Sequence, residues 1–173
     1  VPDFVRESLA RCGVPGFRVL RWERCWHKEG QPFRDPTHYP RVSVASSGTH
    51  DTEPQIEWWE RASADEREKV TRLPTIAQTS HGVDLRQAPY NPTVRDALLE
   101  ALFASNSDLL LVPVQDAFGW RDRINEPATI ADRNWTYKLP WPVDKLDEVA
   151  EARERKDQLR AWSERYNRHV SHL

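Results

Sequence analysis

The chain has 173 residues, enough for one ordinary domain with a real core. Charged residues make up 30% of it, yet the formal net charge is only -2, which excludes a nucleic-acid partner recruited by a dominant basic face. No apolar run reaches membrane-span length, and the start lacks a basic segment followed by an apolar one. Cys12 and Cys25 sit in neither a metal-type nor a redox-type spacing, so two free thiols in a cytoplasmic protein are expected in preference to a disulfide. Eight Trp and no Met are unusual, and a chain that opens on Val1-Pro2-Asp3 within a helical pattern reads as a piece of something longer.

In chain order, Pro2–Arg11 reads as a helix with Phe4, Val5 and Leu9 on one face, ended by Gly13. Phe17–Trp22 reads as a strand with Glu23 at its C-terminal end. Residues 25–41 form a loop rich in Pro, Gly and charge, carrying Trp26, Phe33 and Tyr39. Loops of that length are usually functional or disordered, and three aromatics argue for order. Arg41–Ser47 follows as a buried strand of small and β-branched residues. Gly48 relaxes the backbone at its end, His50 and Asp51 stand at its tip, and Thr52 is a candidate N-cap for a helix from Pro54 to Ala62. Ser63 with Glu66 reads as a capping box for a helix through Arg72. Residues 73–89 are assigned no regular structure.

Asn91-Pro92 opens a helix with Val94, Ala97, Leu98, Ala101 and Leu102 as its apolar stripe. Asp108–Val114 is a continuous apolar run, as expected of a strand buried on both faces, with Gln115 and Asp116 at its end. Residues 117–141 are a second long loop with Trp120, Asn125, Trp135 and Tyr137. Asp144–His169 reads as one long charged helix with Leu146, Val149, Leu159, Trp162 and Tyr166 as core candidates. The pattern is α/β with a parallel sheet in a single domain, residues 1–173. Three strands do not close a barrel.

Glu23, His50-Asp51 and Gln115-Asp116 all fall just past strand ends, which in a parallel sheet lie on one rim and face one cleft. Adjacent His50 and Asp51 on an extended backbone point to opposite sides, so they are not a metal pair, and no zinc-type spacing or Gly-x-Ser-x-Gly elbow occurs. Carboxylate, imidazole and amide among aromatic faces suit sugar rings, whose C–H faces lie flat on an aromatic. Trp58, Trp59 and Trp162 fall on helices and read as core. The loop residues Trp26, Trp120 and Trp135 fit binding as well as packing.

The strings Val19–Glu23, Phe33-x-x-Pro36-x-x-Tyr39-Pro40 and Ser43–Thr52 with Trp58-Trp59 resemble the 4-α-glucanotransferases, also called amylomaltases or disproportionating enzymes. Val112–Asp116 with Gly119, Arg123-Ile124-Asn125-x-Pro127 and Asn134-Trp135-x-Tyr137-Lys138-Leu139 follow that family's closing motifs in the same order. The resemblance covers most of residues 1–140. It implies the C-terminal portion of a (β/α)8 TIM barrel, about three strands with enlarged loops and a long C-terminal helix, whose upstream strands lie elsewhere. It also implies retaining transfer of α-1,4-glucan segments, with Asp51 as the transition-state-stabilising carboxylate. By the same match His50 and Asn125 bind sugar, Gln115 and Asp116 shape the rim of the glucan cleft, and Glu23, at another strand end, joins the substrate-binding candidates without being the family's acid/base.

The family's nucleophile and acid/base motifs lie upstream of the residues matched and are absent from this sequence. The implied partners are therefore α-1,4-glucans and the missing N-terminal part of the same barrel, with no nucleic acid, membrane, metal or cofactor. On this reading the 173-residue chain is inactive alone. The alternatives are a non-catalytic glucan-binding module and a hydrolase of the same barrel type, which differs only in acceptor.

Overall fold

The structure, a computed structural model, describes residues 3–168. Helix α1 (Asp3–Arg11) leads into strand β1 (Gly16–Val19), then β2 (Ser43–Ser46) and four helices, α2 (Gln55–Arg61), α3 (Ala64–Thr71), α4 (Pro74–Thr79) and α5 (Pro92–Phe103). Strand β3 (Leu109–Leu111), α6 (Val114–Phe118) and α7 (Ala150–Arg165) complete the described chain. The strands form one parallel sheet in the order β1-β2-β3, so the α/β assignment and the parallel pairing both hold.

Register assigns the faces, because paired residues of parallel strands project to the same side. Arg18, Ala45 and Leu110 share one row. Ala45 and Leu110 on that side meet the core built by Leu98, Leu99 and Leu102 of α5, Trp58 and Trp59 of α2, Ile76 of α4 and Trp162 of α7. Burying each such side chain contributes about 1.5–3 kcal/mol, so this layer carries most of the packing energy. The other row holds Phe17, Val44 and Leu109, and beyond it Val19, Ser46 and Leu111. There Phe17 is 53% exposed, Leu109 50% and Leu111 56%, although a parallel sheet is normally covered on both faces. The expectation that residues 108–114 form a strand buried on both sides is thus corrected: the strand is three residues long and bare on one face.

Other elements also depart from the sequence reading. The strand expected over Phe17–Trp22 breaks after Val19 into a 3-10 turn, Leu20–Trp22. Residues 73–89, where the sequence predicts no regular structure, contain α4, a short helix started by Pro74 that buries Ile76. The long final helix is two pieces, a 3-10 segment Val143–Glu148 and then α7, and its expected end at His169 lies outside the described residues. Ser63 caps α3 by accepting from the Glu66 backbone N–H, but the Glu66 carboxylate pairs with Arg24 and does not close a capping box. Asn91 caps α5 through the Val94 N–H as its spacing predicts. Cys12 and Cys25 are unbridged.

Asp35 joins the first long loop to α4. Its carboxylate accepts from the Thr37 backbone and hydroxyl (3.0 and 2.6 Å) and from the Thr75 backbone and hydroxyl (2.9 and 2.5 Å). Burial alone pushes this carboxyl upward, but the hydrogen bonds from Thr37 and Thr75 outweigh it and hold the group below the usual carboxylate range. A depressed folded-state pKa contributes stability that is present above the unfolded-state value, near about 4, and lost as pH falls through the folded value. Asp35→Asn is therefore expected to cost about 1–3 kcal/mol at neutral pH, because an amide nitrogen cannot accept these donors. In denaturation curves taken from about pH 7 down to about pH 2, the gap to wild type should close at the acid end. A gap that stays constant over that range contradicts the assignment.

Candidate functional site

The site is built on the short connection between β2 and α2. After Ser46 the backbone passes Gly48, where a Cβ would lie 2.5 Å from Thr52 Oγ1, 3.5 Å from Arg21 Nη2 and 3.6 Å from Asp116 Oδ2. Thr52 Oγ1 cannot easily move aside, since it accepts from the Thr49 N–H (2.9 Å) and donates to the Thr49 carbonyl (3.0 Å). The expected N-cap role of Thr52 is therefore replaced by a turn over residues 49–52, and α2 begins only at Gln55.

That turn also corrects the expectation for His50 and Asp51. Their side chains do not diverge: His50 Nε2 lies 3.2 Å from Asp51 Oδ2, because the backbone bends between Thr49 and Thr52. Both are about half exposed, at 54% and 48%. Asn125 reaches across from the long second loop and donates its Nδ2 to Asp51 Oδ1 at 2.7 Å. Trp135 from the same loop packs on His50, with ring centroids 5.2 Å apart and planes tilted by 41°. An accessible carboxylate is thus flanked by an imidazole and an amide, beside an indole that is itself largely exposed.

The second loop is ordered by contacts of its own. Arg121 pairs with both carboxylate oxygens of Glu60 on α2 (2.8 and 2.5 Å), and the Trp135 N–H donates to the Ile124 carbonyl at 2.8 Å. Asn134 accepts from the Glu126 N–H at 3.1 Å, so the two arms of the loop are cross-tied. Trp135 takes a φ of 64°, a left-handed conformation that costs a bulky residue of order 1 kcal/mol and persists only where its surroundings impose it.

Three further candidates are held differently. Glu23 is buried, with Arg6 donating to its carboxylate at 3.0 Å and the Arg18 guanidinium 3.7 Å away as an ion-pair partner. Gln115 and Asp116 sit in α6, not in an open loop, and both are buried. Asp116 is 2% exposed, and its oxygens accept from Ser47 Oγ (2.5 Å) and from the Gln55 backbone N–H (2.6 Å). Burial raises its pKa, with the Ser47 and Gln55 hydrogen bonds and the nearby Arg21 charge pulling the other way. Arg21, which sequence reading passed over, is buried beneath the same turn and donates to the carbonyls of Ser47 (3.0 Å) and Glu53 (2.9 Å). A lone Arg after a strand gives no periodic signal that would have singled it out. Among the described residues no group of three or more His, Cys, Asp or Glu is placed to hold a metal.

A parallel α/β sheet whose strand-end loops converge on one exposed carboxylate is the arrangement of proteins that bind ligands at the carboxyl ends of their strands. The chain belongs to the 4-alpha-glucanotransferase family, whose sequence model matches residues 1–144. It is similar to the 4-alpha-glucanotransferase of Thermus thermophilus, 31% identical over 156 residues that make up 84% of this chain and 29% of the relative. It is also similar to that of Chlamydia pneumoniae, 27% identical over 154 residues, 84% of this chain and 28% of the relative. In fold it resembles amylomaltase from Streptococcus agalactiae in complex with acarbose, with a TM-score of 0.68 at 22% identity over 96% of this chain and 30% of that one. Amylomaltase from Corynebacterium glutamicum gives a TM-score of 0.69 at 16% identity, over 91% and 27%. The chain thus spans less than a third of the length of these relatives. Among the described residues no helix is long and apolar enough to cross a membrane.

The close approach at Gly48 has a measurable consequence. Gly48→Ala forces Thr52 Oγ1 out of its turn and is expected to destabilise by about 1–3 kcal/mol, as overpacking of a tight site does. A lowered denaturant midpoint with unchanged slope is the expected result. An unchanged midpoint contradicts the tight contact.

Proposed function

We propose that this chain is the C-terminal portion of a barrel-type 4-α-glucanotransferase that transfers α-1,4-glucan segments to an acceptor sugar. In this reading Asp51 is the carboxylate that stabilises the transition state, and His50 and Asn125 orient sugar hydroxyls beside it. Trp135 offers a flat aromatic face for a pyranose ring. The observation that carries the reading is the half-exposed Asp51 carboxylate, fixed by Asn125 on one oxygen and His50 on the other, at the carboxyl end of β2.

The chemistry follows from charge. A glycosyl centre that is losing its leaving group develops oxocarbenium-like positive charge, and an ionised carboxylate already held in place stabilises it without reorganisation. The Asn125 hydrogen bond fixes the orientation of the Asp51 carboxylate. Retaining transfer also needs two carboxyl groups about 5 Å apart flanking the scissile bond. Those groups are assigned to the part of the protein upstream of Val1. Family membership and the partial span of the relatives support that division, as do the exposed apolar side chains of Phe17, Leu109 and Leu111 on the edge strands and the position of β1 and β3 as sheet edges. A closed barrel removes such edges. The long loops support transfer over hydrolysis, since a water-excluding cleft lets an acceptor hydroxyl reach the glycosyl-enzyme first. The unbridged Cys12 and Cys25 suit a reducing, cytoplasmic setting.

The remaining site assignments take a structural form. Glu23, Gln115 and Asp116 act on substrate through the loops they brace, since their burial leaves little surface for a sugar.

Two experiments test the proposal. The intact enzyme should disproportionate maltotriose while residues 1–173 alone do not, and clear turnover by the isolated segment would sink the division of labour. In the intact enzyme Asp51→Asn should lower kcat by about 10²–10³ or more, equivalent to about 3–4 kcal/mol of barrier, with the fold unchanged by circular dichroism. Near-normal turnover removes Asp51 from the mechanism.

A further inference from the structure

Asp51 stands in the middle of residues 47–55, and little in that segment fixes it from within. The turn over residues 49–52 holds its own shape, but a turn alone does not set its position above the sheet. Two buried charged side chains from the neighbouring strand ends do that. Arg21, in the 3-10 turn after β1, places Nη2 on the Ser47 carbonyl (3.0 Å) and Nη1 on the Glu53 carbonyl (2.9 Å), with the Glu53 carboxylate also within 3.2 Å. One planar fork thereby spans the two ends of the segment. Asp116, on α6 after β3, does the same from the other side: Oδ2 takes the Ser47 hydroxyl and Oδ1 the first N–H of α2 at Gln55. Gln55 is tied in turn to Tyr90, whose hydroxyl donates to its Oε1 at 3.0 Å.

The two clamps meet at Gly48, since a Cβ there would lie within 4 Å of both Arg21 Nη2 and Asp116 Oδ2. Their chemistry is complementary: Arg21 takes the carbonyls at the segment's ends, and Asp116 takes a hydroxyl and an N–H. Both Asp116 oxygens are occupied, and only 2% of the residue is exposed. A group so enclosed does not touch sugar.

We infer that Arg21 and Asp116 are positioning residues for Asp51, clamping residues 47–55 at both ends so that the carboxylate stands preorganised at the strand ends. This deepens the glucanotransferase reading and rests on it for the rate effect, but the clamp also has a structural readout independent of any reaction. Preorganised electrostatics lose their effect when the charged group drifts, so the loss falls on kcat and not on substrate affinity.

The test compares Asp116→Ala, Asp116→Asn, Arg21→Lys and Ser47→Ala in the full-length protein with maltotriose as substrate. Asp116→Ala should lower kcat at least about tenfold with KM changed less than about threefold. Asp116→Asn should recover most of that loss, because its amide oxygen still accepts from Gln55 and its amide nitrogen donates to Ser47 Oγ. Arg21→Lys should not recover, because a single ammonium does not reproduce the two-armed fork. Amide hydrogen exchange over residues 47–55 should quicken in Asp116→Ala and Arg21→Lys and stay near wild type in Asp116→Asn.

A fall in melting temperature with kcat and exchange over 47–55 unchanged would reduce the pair to scaffold and overturn the inference, as would a change confined to KM. If Asp116→Ala does not fold, Ser47→Ala removes one tie only and should give the same signature in weaker form; wild-type kcat and exchange in that variant count against the clamp. A wild-type protein that leaves maltotriose untouched defeats the glucanotransferase reading, and the exchange data then judge the clamp alone.

Discussion

The geometry of this protein depends on two buried charges, Arg21 and Asp116, that never need to form a direct ion pair. Each spends its hydrogen bonds on the ends of one short segment, residues 47–55. Taking an arginine and a carboxylate out of water is expensive, and mutual attraction alone often fails to repay it. Here four backbone or hydroxyl partners, the Glu53 carboxylate and the face of Trp58, 5.4 Å from the Arg21 guanidinium, offset that cost. Burial lowers the Arg21 pKa while the Asp116 and Glu53 charges raise it back in part. An arginine remains protonated under such pressure, which a lysine need not. The result is a rigid base under a turn whose tip, His50 and Asp51, faces solvent.

The sheet explains why three distant stretches of sequence meet there. Parallel pairing brings the carboxyl ends of β1, β2 and β3 to one rim, so Arg21 and Asp116 meet the segment that carries Asp51 although each belongs to a different strand connection. Helices α2, α4, α5 and α7 cover one face and supply the core. Charge pairs fasten the outer layer: Glu100 of α5 accepts from Arg165 and Tyr166 at the end of α7, and Arg155 of α7 donates to Asp96 of α5 at 2.8 Å. The opposite face is bare at Phe17, Leu109 and Leu111, and exposed apolar side chains on a parallel sheet call for a covering layer.

Much of this was legible in the sequence, and for identifiable reasons. The run from Ser43 to Asp51 announces a buried strand with titratable groups at its tip. Ser63 and Asn91 announce helix starts, and Trp58, Trp59 and Trp162 announce a core by lying at helical positions. Asn125 came from motif resemblance alone, since nothing in the spacing of a long loop says that an amide will cross to a carboxylate. Short α4 escaped because so few residues carry no periodic stripe. The pairing of His50 with Asp51 escaped because extended-chain geometry sends neighbours apart, while the Thr49–Thr52 turn brings them together. Asp116 was visible as a carboxylate at a strand end, but its commitment to Ser47 and Gln55 is a tertiary fact that no local pattern encodes. Arg21 was hidden for the same reason.

The most direct measurement is a crystal structure of the full-length protein with a maltooligosaccharide bound. The Asp51 carboxylate should lie within hydrogen-bonding reach of the sugar at the cleavage point, with His50 and Asn125 on its hydroxyls, Trp135 against a ring face, and residues 47–55 in the position seen here. A sugar bound elsewhere, with Asp51 left untouched beside Asn125, would contradict the proposed role of this carboxylate.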